Sequence, residues 1–171
     1  MFLPRIAVIS NLMKSLLYLF LMIMTIGDKK SIDPDMDQQK GMVTAVNKIR
    51  AEGCYCDRKY MPPVQNIDWS TTLYTSALNQ AKEMNDYNFF AHYSKDGLDI
   101  GARLKKVGYD WMVAGENLGE GQESFDEVLL DWLKSYSHCT MLMHPKINEM
   151  GVARVEKYWV QHFGKQMPVK K

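Results

Sequence analysis

The sequence predicts an α+β fold, and two kinds of pattern support this class. Segments with apolar residues at helical spacing are interspersed with shorter segments whose apolar pattern is typical of strands. The last two strand segments, 149–155 and 157–163, are joined by a tight connection, which predicts a β-hairpin. Because a hairpin joins them, and not a crossover helix, we expect a mainly antiparallel sheet covered by helices.

The first 27 residues are predicted to be a secretory signal peptide. Lys14 precedes a nearly unbroken apolar run at 16–26, and Gly27 offers a small residue at its end. The run has about eleven residues, short of the roughly 20 that a membrane-spanning helix needs, so no stable span is expected after cleavage. An uncleaved signal anchor is the alternative. Because Met13 begins a typical signal start, one interpretation of residues 1–12 is an upstream extension.

The domain itself is predicted to occupy residues 39–166, after a polar, flexible lead-in at 28–38. A first helix ends at Gly53, where a left-handed residue can stop it. Its apolar positions recur with helical spacing at Met42, Ala45, Val46 and Ile49.

A loop over 54–66 separates the first helix from the second. Ser70 is a good N-cap for the second helix, which we expect to end near Asn88. A short helix at 101–106 follows. The apolar face of the second helix comprises Leu73, Ala77, Leu78, Ala81 and Met84.

The second half of the domain begins with a strand at 111–118, which leads into a Gly-Glu-Gly turn. Ser124 then caps a third long helix. Its apolar stripe is predicted to comprise Phe125, Val128, Leu129, Trp132, Leu133 and Tyr136.

The composition excludes two classes of protein. Hydrophobic residues make up 46% of the 171 residues and aromatic residues 11%, which is typical of an ordered globular domain and not of a disordered chain. The formal net charge is +1 at pH 7, so there is no electrostatic case for a nucleic-acid partner.

Four side chains form the candidate site: His92, Glu116, Glu127 and His138. Two imidazoles and two carboxylates suit a divalent cation, zinc most directly. His92 and His138 are the expected metal ligands, and the carboxylates either complete the site or fix the imidazole tautomers. Taken singly, each residue also has a simpler interpretation: a solvated surface glutamate at 127, a glutamate that hydrogen-bonds to a turn at 116, and partly buried histidines with a backbone partner at 92 and 138.

The other two histidines are not assigned to the site. His144 precedes Pro145 in a turn, and His162 alternates with apolar residues along a strand. Glu127, in contrast, projects from the third helix to the side opposite its apolar stripe.

Short motifs follow one another in a fixed order along the domain. They are N-K-I-R at 47–50, I-D-W at 67–69, A-H-Y-S at 91–94, G-E-N-L at 115–118, E-V-L-L-D-W at 127–132, S-H-C at 137–139, M-G-V-A at 150–153 and Y-W-V-Q at 158–161. This ordered set resembles the CAP superfamily, which includes cysteine-rich secretory proteins, antigen 5 and pathogenesis-related class 1 proteins. The likeness runs from about Asp37 to Gly164 and is greatest to short bacterial members, the SCP-like extracellular proteins. Val46 departs from it, because many members carry a histidine there.

The resemblance implies a three-layer α-β-α sandwich and a secreted protein, extracellular or periplasmic. It also implies that Glu127 points into an open groove with the other three site residues. We expect this groove to bind a divalent metal, an extracellular ligand or both, without catalysis of its own.

Two alternatives stay open at the level of sequence. The first is a metal-dependent extracellular hydrolase acting on peptide or cell-wall material, with Glu116 or Glu127 as general base. The second is a carrier of an apolar ligand such as a sterol or fatty acid, in a groove lined by Tyr109, Trp111 and Met112.

The three cysteines predict one disulfide and one free thiol. Cys54 and Cys56 are too close in sequence for a comfortable bridge with each other, so one of them is expected to pair with Cys139. We favour Cys56 as the partner.

Overall fold

The computed structural model describes residues 34–168. This part of the chain forms three layers of secondary structure, with helices on both faces of a sheet. This arrangement confirms the predicted α-β-α sandwich. The signal peptide predicted at 1–27 lies outside the described residues, as does the lead-in up to residue 33. Within residues 34–168, no helix is both long enough and apolar enough to cross a membrane.

Six strands occur in the described part of the chain, and four of them form the central sheet. Their bounds are β1 Cys54–Cys56, β2 Lys59–Met61, β3 Asp68–Trp69, β4 Trp111–Glu120, β5 Glu149–Val155 and β6 Tyr158–Gln166. The central sheet has the strand order β3-β5-β6-β4. β3 pairs with β5 in parallel, whereas β5 with β6 and β4 with β6 are antiparallel, so the sheet is mainly antiparallel as predicted. The hairpin between β5 and β6 is confirmed.

Five helices in the described part of the chain cover the two faces. α2 and α3 lie on one face, and α1, α4 and α5 lie on the other. Their bounds are α1 Met36–Glu52, α2 Thr71–Tyr87, α3 Ile100–Lys106, α4 Phe125–Lys134 and α5 Tyr136–Leu142.

The two cores follow from the alternation of side chains along each strand. On β6, Trp159 and Phe163 pack into the core beneath α1, α4 and α5. Tyr158 and Val160 point the other way, into the core beneath α2. Gly151 of β5 allows α2 to approach closely, because a Cβ there would lie 2.1 Å from a backbone nitrogen of that helix.

Capping signals determine where the helices begin and end. Asp35 and Gln38 form a capping box, each side chain accepting a hydrogen bond from the other's backbone amide. α1 therefore begins at Met36, so the last three residues of the predicted lead-in form its first turn. Ser70 caps α2, and Asn88 ends it with a positive φ of 50°, which confirms both predictions.

The third predicted helix is divided in two, and its predicted stripe is wrong at Tyr136. Ser135 has an extended backbone, with φ −91° and ψ 123°, so α4 stops and α5 starts in a new direction. Tyr136 is 51% exposed as a result. The change of direction buries Cys139 and Leu142 of α5 against the rest of the domain.

The predicted loop at 54–66 contains a small hairpin, β1–β2, that holds the disulfide. Cys56 is bonded to Cys139 across a sequence separation of 83, which confirms the favoured pairing and ties α5 to the hairpin. Cys54 keeps a free thiol, and its Sγ lies 3.8 Å from the Sγ of Cys139.

The N-K-I-R motif connects α1 to two loops. Asn47 exchanges two side-chain hydrogen bonds with the backbone of Ile67. Arg50 is fully buried, and burial lowers its pKa to about 10. It donates hydrogen bonds to the carbonyl oxygens of Gln65, Leu142, His144 and Ile147.

Candidate functional site

The candidate site lies at β4, the edge strand of the central sheet. Glu116 points from β4 to the α2 side, and its side chain is only 3% exposed. In the antiparallel register Glu116 stands directly opposite His162 of β6. Opposite residues in such a pair are close enough for their side chains to interact.

Three donors surround the Glu116 carboxylate. His92 Nδ1 lies 2.7 Å from Oε1, whereas Arg103 Nη2 and His162 Nε2 each lie 2.8 Å from Oε2. Burial alone would raise the pKa of Glu116, but the hydrogen bonds from His162 and His92, together with the Arg103 charge, lower it to about 2. Glu116 is therefore a buried, ionised and fully hydrogen-bonded carboxylate at neutral pH.

His92 is the solvent-facing member of this network, with a side chain that is 59% exposed. The hydrogen bond to Glu116 raises the pKa of His92, and burial, which lowers this pKa, only partly offsets the effect. In the neutral ring, Nδ1–H donates to Glu116 and Nε2 carries the free lone pair. Arg103 also donates to the backbone oxygen of His92 at 2.9 Å, so one guanidinium fixes both residues.

His162, which the sequence did not assign to the site, is the buried member of the network. Its side chain is 0% exposed, and burial lowers its pKa, so the neutral ring donates Nε2–H to Glu116. Arg103, which the sequence did not single out, is 7% exposed and completes the network from α3. The strand register and the position of α3 bring these two residues to Glu116, and neither is visible in a local pattern.

His138 approaches from the opposite helical layer, on α5. Burial lowers the pKa of His138, and the charge of His92 lowers it further. Asn117 donates through Nδ2 to the His138 backbone oxygen at 3.2 Å and to Gln161 Oε1 at 3.3 Å. The G-E-N motif thus contacts the His92 side chain through Glu116 and the His138 backbone through Asn117, whereas the structure gives no hydrogen bond between the His138 side chain and the other three predicted site residues, all within the described range.

The decisive comparison is with sequence families. A model described as the cysteine-rich secretory protein family, CAP, matches residues 43–163. The chain belongs to the CAP family.

The chain is also similar to individual proteins and solved structures. The uncharacterized protein YkwD of Bacillus subtilis is 33% identical over 94 residues, which cover 54% of this CAP chain and 37% of YkwD. The aligned segment therefore spans little more than a third of that relative.

Two solved structures share the fold. An outer surface protein of Borrelia burgdorferi has a solved structure with a TM-score of 0.67 and 20% identity, covering 81% of this chain and 98% of the Borrelia chain. NaASP2, solved with Zn2+, has a TM-score of 0.54 and 13% identity, covering 80% and 87%. At these identities the two structures show the fold.

Glu127 of the CAP chain lies at the first turn of α4, exposed to solvent. Its Oε2 accepts a hydrogen bond from the Glu123 amide at 2.8 Å, and its own amide donates to Ser124. The structure gives it no hydrogen bond or ion pair with His92, Glu116 or His138, all of which lie in the described range. Its role in the groove stays a prediction.

Two of the three residues proposed to line an apolar groove, Tyr109 and Trp111, have other roles in this CAP domain. Tyr109 is 1% exposed and donates its hydroxyl to Glu149, and this burial and hydrogen bond raise its pKa well above the usual range. Trp111 packs on Gly101 and donates to its carbonyl oxygen at 3.0 Å. Of the three, only Met112 is largely exposed, at 43%.

Candidate metal ligands are brought together at one place among residues 34–168. The sulfur atoms of Cys54, Cys56 and Cys139 are the one group of three candidate ligand atoms in this range that lie within 4.8 Å of one another. Two of them form the disulfide, so this cluster does not offer three thiolates. His92 and His138 carry nitrogen ligands of the kind that zinc accepts, and their use by a metal stays a prediction.

Proposed function

We propose that this CAP-domain protein acts outside the cytoplasm and binds a divalent cation, zinc first, through His92 and His138. The observation that carries the proposal is the 2.7 Å hydrogen bond between His92 Nδ1 and buried Glu116. A carboxylate that holds one ring nitrogen orients the other toward a metal, and it also raises the basicity of the ring. Glu116 is thus a positioning carboxylate.

The donor set fits such an ion. Burial lowers the pKa of His138, so its ring is neutral at pH 7 and able to ligate. His92 has a raised pKa, so a proton competes with the metal for Nε2 as the pH falls. A bound zinc ion with two protein nitrogens keeps coordination positions for an extracellular ligand. That NaASP2 was solved with Zn2+ agrees with this choice of ion.

A binding role is favoured over hydrolysis by the state of Glu116. General bases work best when their pKa lies near the operating pH. Glu116 has a pKa of about 2, and both of its oxygens already accept hydrogen bonds. We therefore assign no turnover to this carboxylate.

Calorimetric titration with zinc at pH 7.5 or so, well above the ordinary histidine pKa, tests the proposal. A Cys54→Ser background removes binding to the free thiol. We expect saturable binding that His92→Ala/His138→Ala abolishes and that Glu116→Gln weakens by about 10- to 100-fold. His144→Ala is the matched control, because it removes an imidazole outside the site. Equal binding by the background and the double variant would refute the assignment.

Export from the cytoplasm is supported by three observations. Residues 1–27 have the pattern of a signal peptide. The Cys56–Cys139 disulfide is typical of an oxidising compartment. The Borrelia protein that shares the fold is described as an outer surface protein. Fractionation with amino-terminal sequencing should find a processed chain that begins near residue 28, and a cytoplasmic chain with an intact amino terminus would contradict the proposal.

A further inference from the structure

The three cysteines meet where α5 packs on the β1–β2 hairpin. Cys54 and Cys56 are two residues apart on β1, so their side chains lie on the same face of the strand. Their sulfur atoms and that of Cys139 on α5 are all within 4.8 Å of one another. Tyr55, between the two, is 68% exposed and packs against Tyr60 across the hairpin. The strand therefore presents two alternative bonding partners to one cysteine of α5.

Cys139 is placed to bond with either partner. Its Sγ is bonded to Cys56, lies 3.8 Å from the Sγ of Cys54 and lies 3.9 Å from the backbone oxygen of Tyr55. It therefore lies over the middle of β1, between the two cysteines. A bridge within β1 is disfavoured, because Cα atoms two residues apart along a strand are about 6.6 Å apart, near the upper limit for a disulfide.

Thiol–disulfide exchange at this cluster is intramolecular. Cys56 and Cys139 are both 0% exposed, so a thiol in solvent has no access to their bond, whereas the Cys54 thiol already lies beside it. Burial raises the pKa of the Cys54 thiol, which makes the exchange slow at neutral pH.

The exchange needs no oxidant or reductant. The Cys54 thiolate rotates onto the axis of the S–S bond and attacks the Sγ of Cys139. The bond from Cys139 to Cys56 breaks, and Cys56 leaves as a thiolate that takes up the proton given up by Cys54. One S–S bond and one thiol are present before and after the exchange, so the oxidation state of the protein does not change.

The bridge is connected to the candidate site through α5. His138 directly precedes Cys139, and its backbone oxygen accepts a hydrogen bond from Asn117 of β4 at 3.2 Å. A change in where α5 is tethered to the hairpin therefore acts on the segment that carries His138.

We propose that the bridge moves between Cys56 and Cys54, and that the two disulfide isomers differ in metal affinity because they hold His138 in different positions. The difference in affinity rests on the proposed metal site, whereas the exchange itself does not. The isomer with the Cys56–Cys139 bond keeps the hydrogen bond from Asn117 and binds zinc more tightly. By linkage, zinc in turn favours that isomer by the same factor.

Disulfide mapping of the purified, metal-free chain tests the exchange. The protein is kept for hours at about pH 9, where more of the thiol is ionised, and is then transferred to a weakly acidic denaturant that contains N-ethylmaleimide. Chymotryptic cleavage after Tyr55 separates Cys54 from Cys56, so mass spectrometry shows which of them carries the label. We expect both labelled forms in comparable amounts, because the two bridges close loops of nearly equal length. Label on Cys54 alone, or a ratio that depends on protein concentration, would overturn the intramolecular exchange.

Two variants lock the isomers for a calorimetric zinc titration. Cys54→Ser retains the Cys56–Cys139 bond, and Cys56→Ser permits only the Cys54–Cys139 bond, so neither has a free thiol. We expect Cys56→Ser to bind zinc about 10-fold or more weakly than Cys54→Ser, which is typical of a change around a metal ligand. When the mapping of the wild-type chain is repeated with zinc, the form labelled at Cys54 should be enriched by the same factor. His92→Ala/His138→Ala is the control and should remove this enrichment.

The outcomes separate this proposal from the proposed metal site. Equal zinc affinities of the two locked variants would overturn the link between the bridge and His138. An absence of zinc binding by both variants would refute the metal site, whereas the mapping without zinc decides the exchange independently.

Discussion

Replacing Glu116 by glutamine should remove most of a large, pH-dependent contribution to stability. The pKa of Glu116 falls from an ordinary value of 4.5 to about 2 in the folded protein. By linkage, this difference corresponds to about 3 kcal/mol of folding free energy. Because the folded-state pKa is the lower one, the contribution is fully present above pH 4.5 and is lost as the pH falls toward 2.

The variant also introduces an amide that faces two donors. The glutamine can still accept from His92, but its NH₂ group would meet the N–H groups of Arg103 and His162. Removing one partner of a buried ion pair typically costs about 3–5 kcal/mol, which is of the same order as the linkage estimate.

Urea denaturation followed by circular dichroism, at several pH values between 3 and 7 with chelator present, measures the effect. We expect Glu116→Gln to lower the free energy of unfolding by about 3 kcal/mol at pH 7 and by progressively less toward pH 3. Other carboxylates titrate equally in both proteins and cancel in the difference. Glu127→Gln is the control and should be nearly neutral, because the side chain is exposed and the glutamine oxygen can still accept the hydrogen bond from the Glu123 amide. A difference below about 1 kcal/mol, or one that does not change with pH, would refute the reasoning.

Three further substitutions test the framework around the site. Cys56→Ser should yield a Cys54–Cys139 bridge, since those sulfurs lie 3.8 Å apart, and mass mapping that finds Cys139 as a free thiol would contradict this. The new loop would be only slightly longer than the native one, with a separation of 85 in place of 83, so stability should change little. Arg50→Lys should lower the free energy of unfolding by roughly 2–4 kcal/mol in urea titrations, because one ammonium cannot reach carbonyls on several segments; wild-type stability would count against the role given to Arg50. Gly151→Ala should cost about 1–3 kcal/mol, as its Cβ would meet the α2 backbone, and an unchanged melting curve would show that α2 moves freely.

The elements that local chemistry determines were predicted from the sequence. Ser70 and Ser124 cap their helices as expected, because each side chain bonds a backbone amide three residues on. The β1–β2 hairpin was not predicted, because its strands have three residues each and are too short to show a period of two. The break at Ser135 was missed as well, because the packing of α5 against β4 decides it. Gly115 shows how close this packing is: a Cβ there would lie 2.0 Å from the sulfur of Met141.

The candidate site was predicted only in part, for a similar reason. His92 and Glu116 were named from the sequence, and the structure joins them directly. His162 pairs with Glu116 only because β4 and β6 align in one register, which non-local contacts determine. The pairing of the apolar residues Leu118 and Val160, two positions away on the same face, is the one signal that could have revealed it.

The tautomer of His92 tests the central claim most directly. Long-range ¹H–¹⁵N correlation NMR distinguishes a protonated Nδ1 from a protonated Nε2 in the neutral ring. The sample is protein freed of metal by a chelator, at a pH above 8 or so, where the His92 ring is neutral. The hydrogen bond to Glu116 predicts a protonated Nδ1 with a bare Nε2, and zinc should then shift the Nε2 resonance of His92 and leave its Nδ1–H in place. A ring protonated at Nε2, or an Nε2 resonance that zinc leaves unchanged, would contradict the proposal that Glu116 prepares His92 to bind a metal.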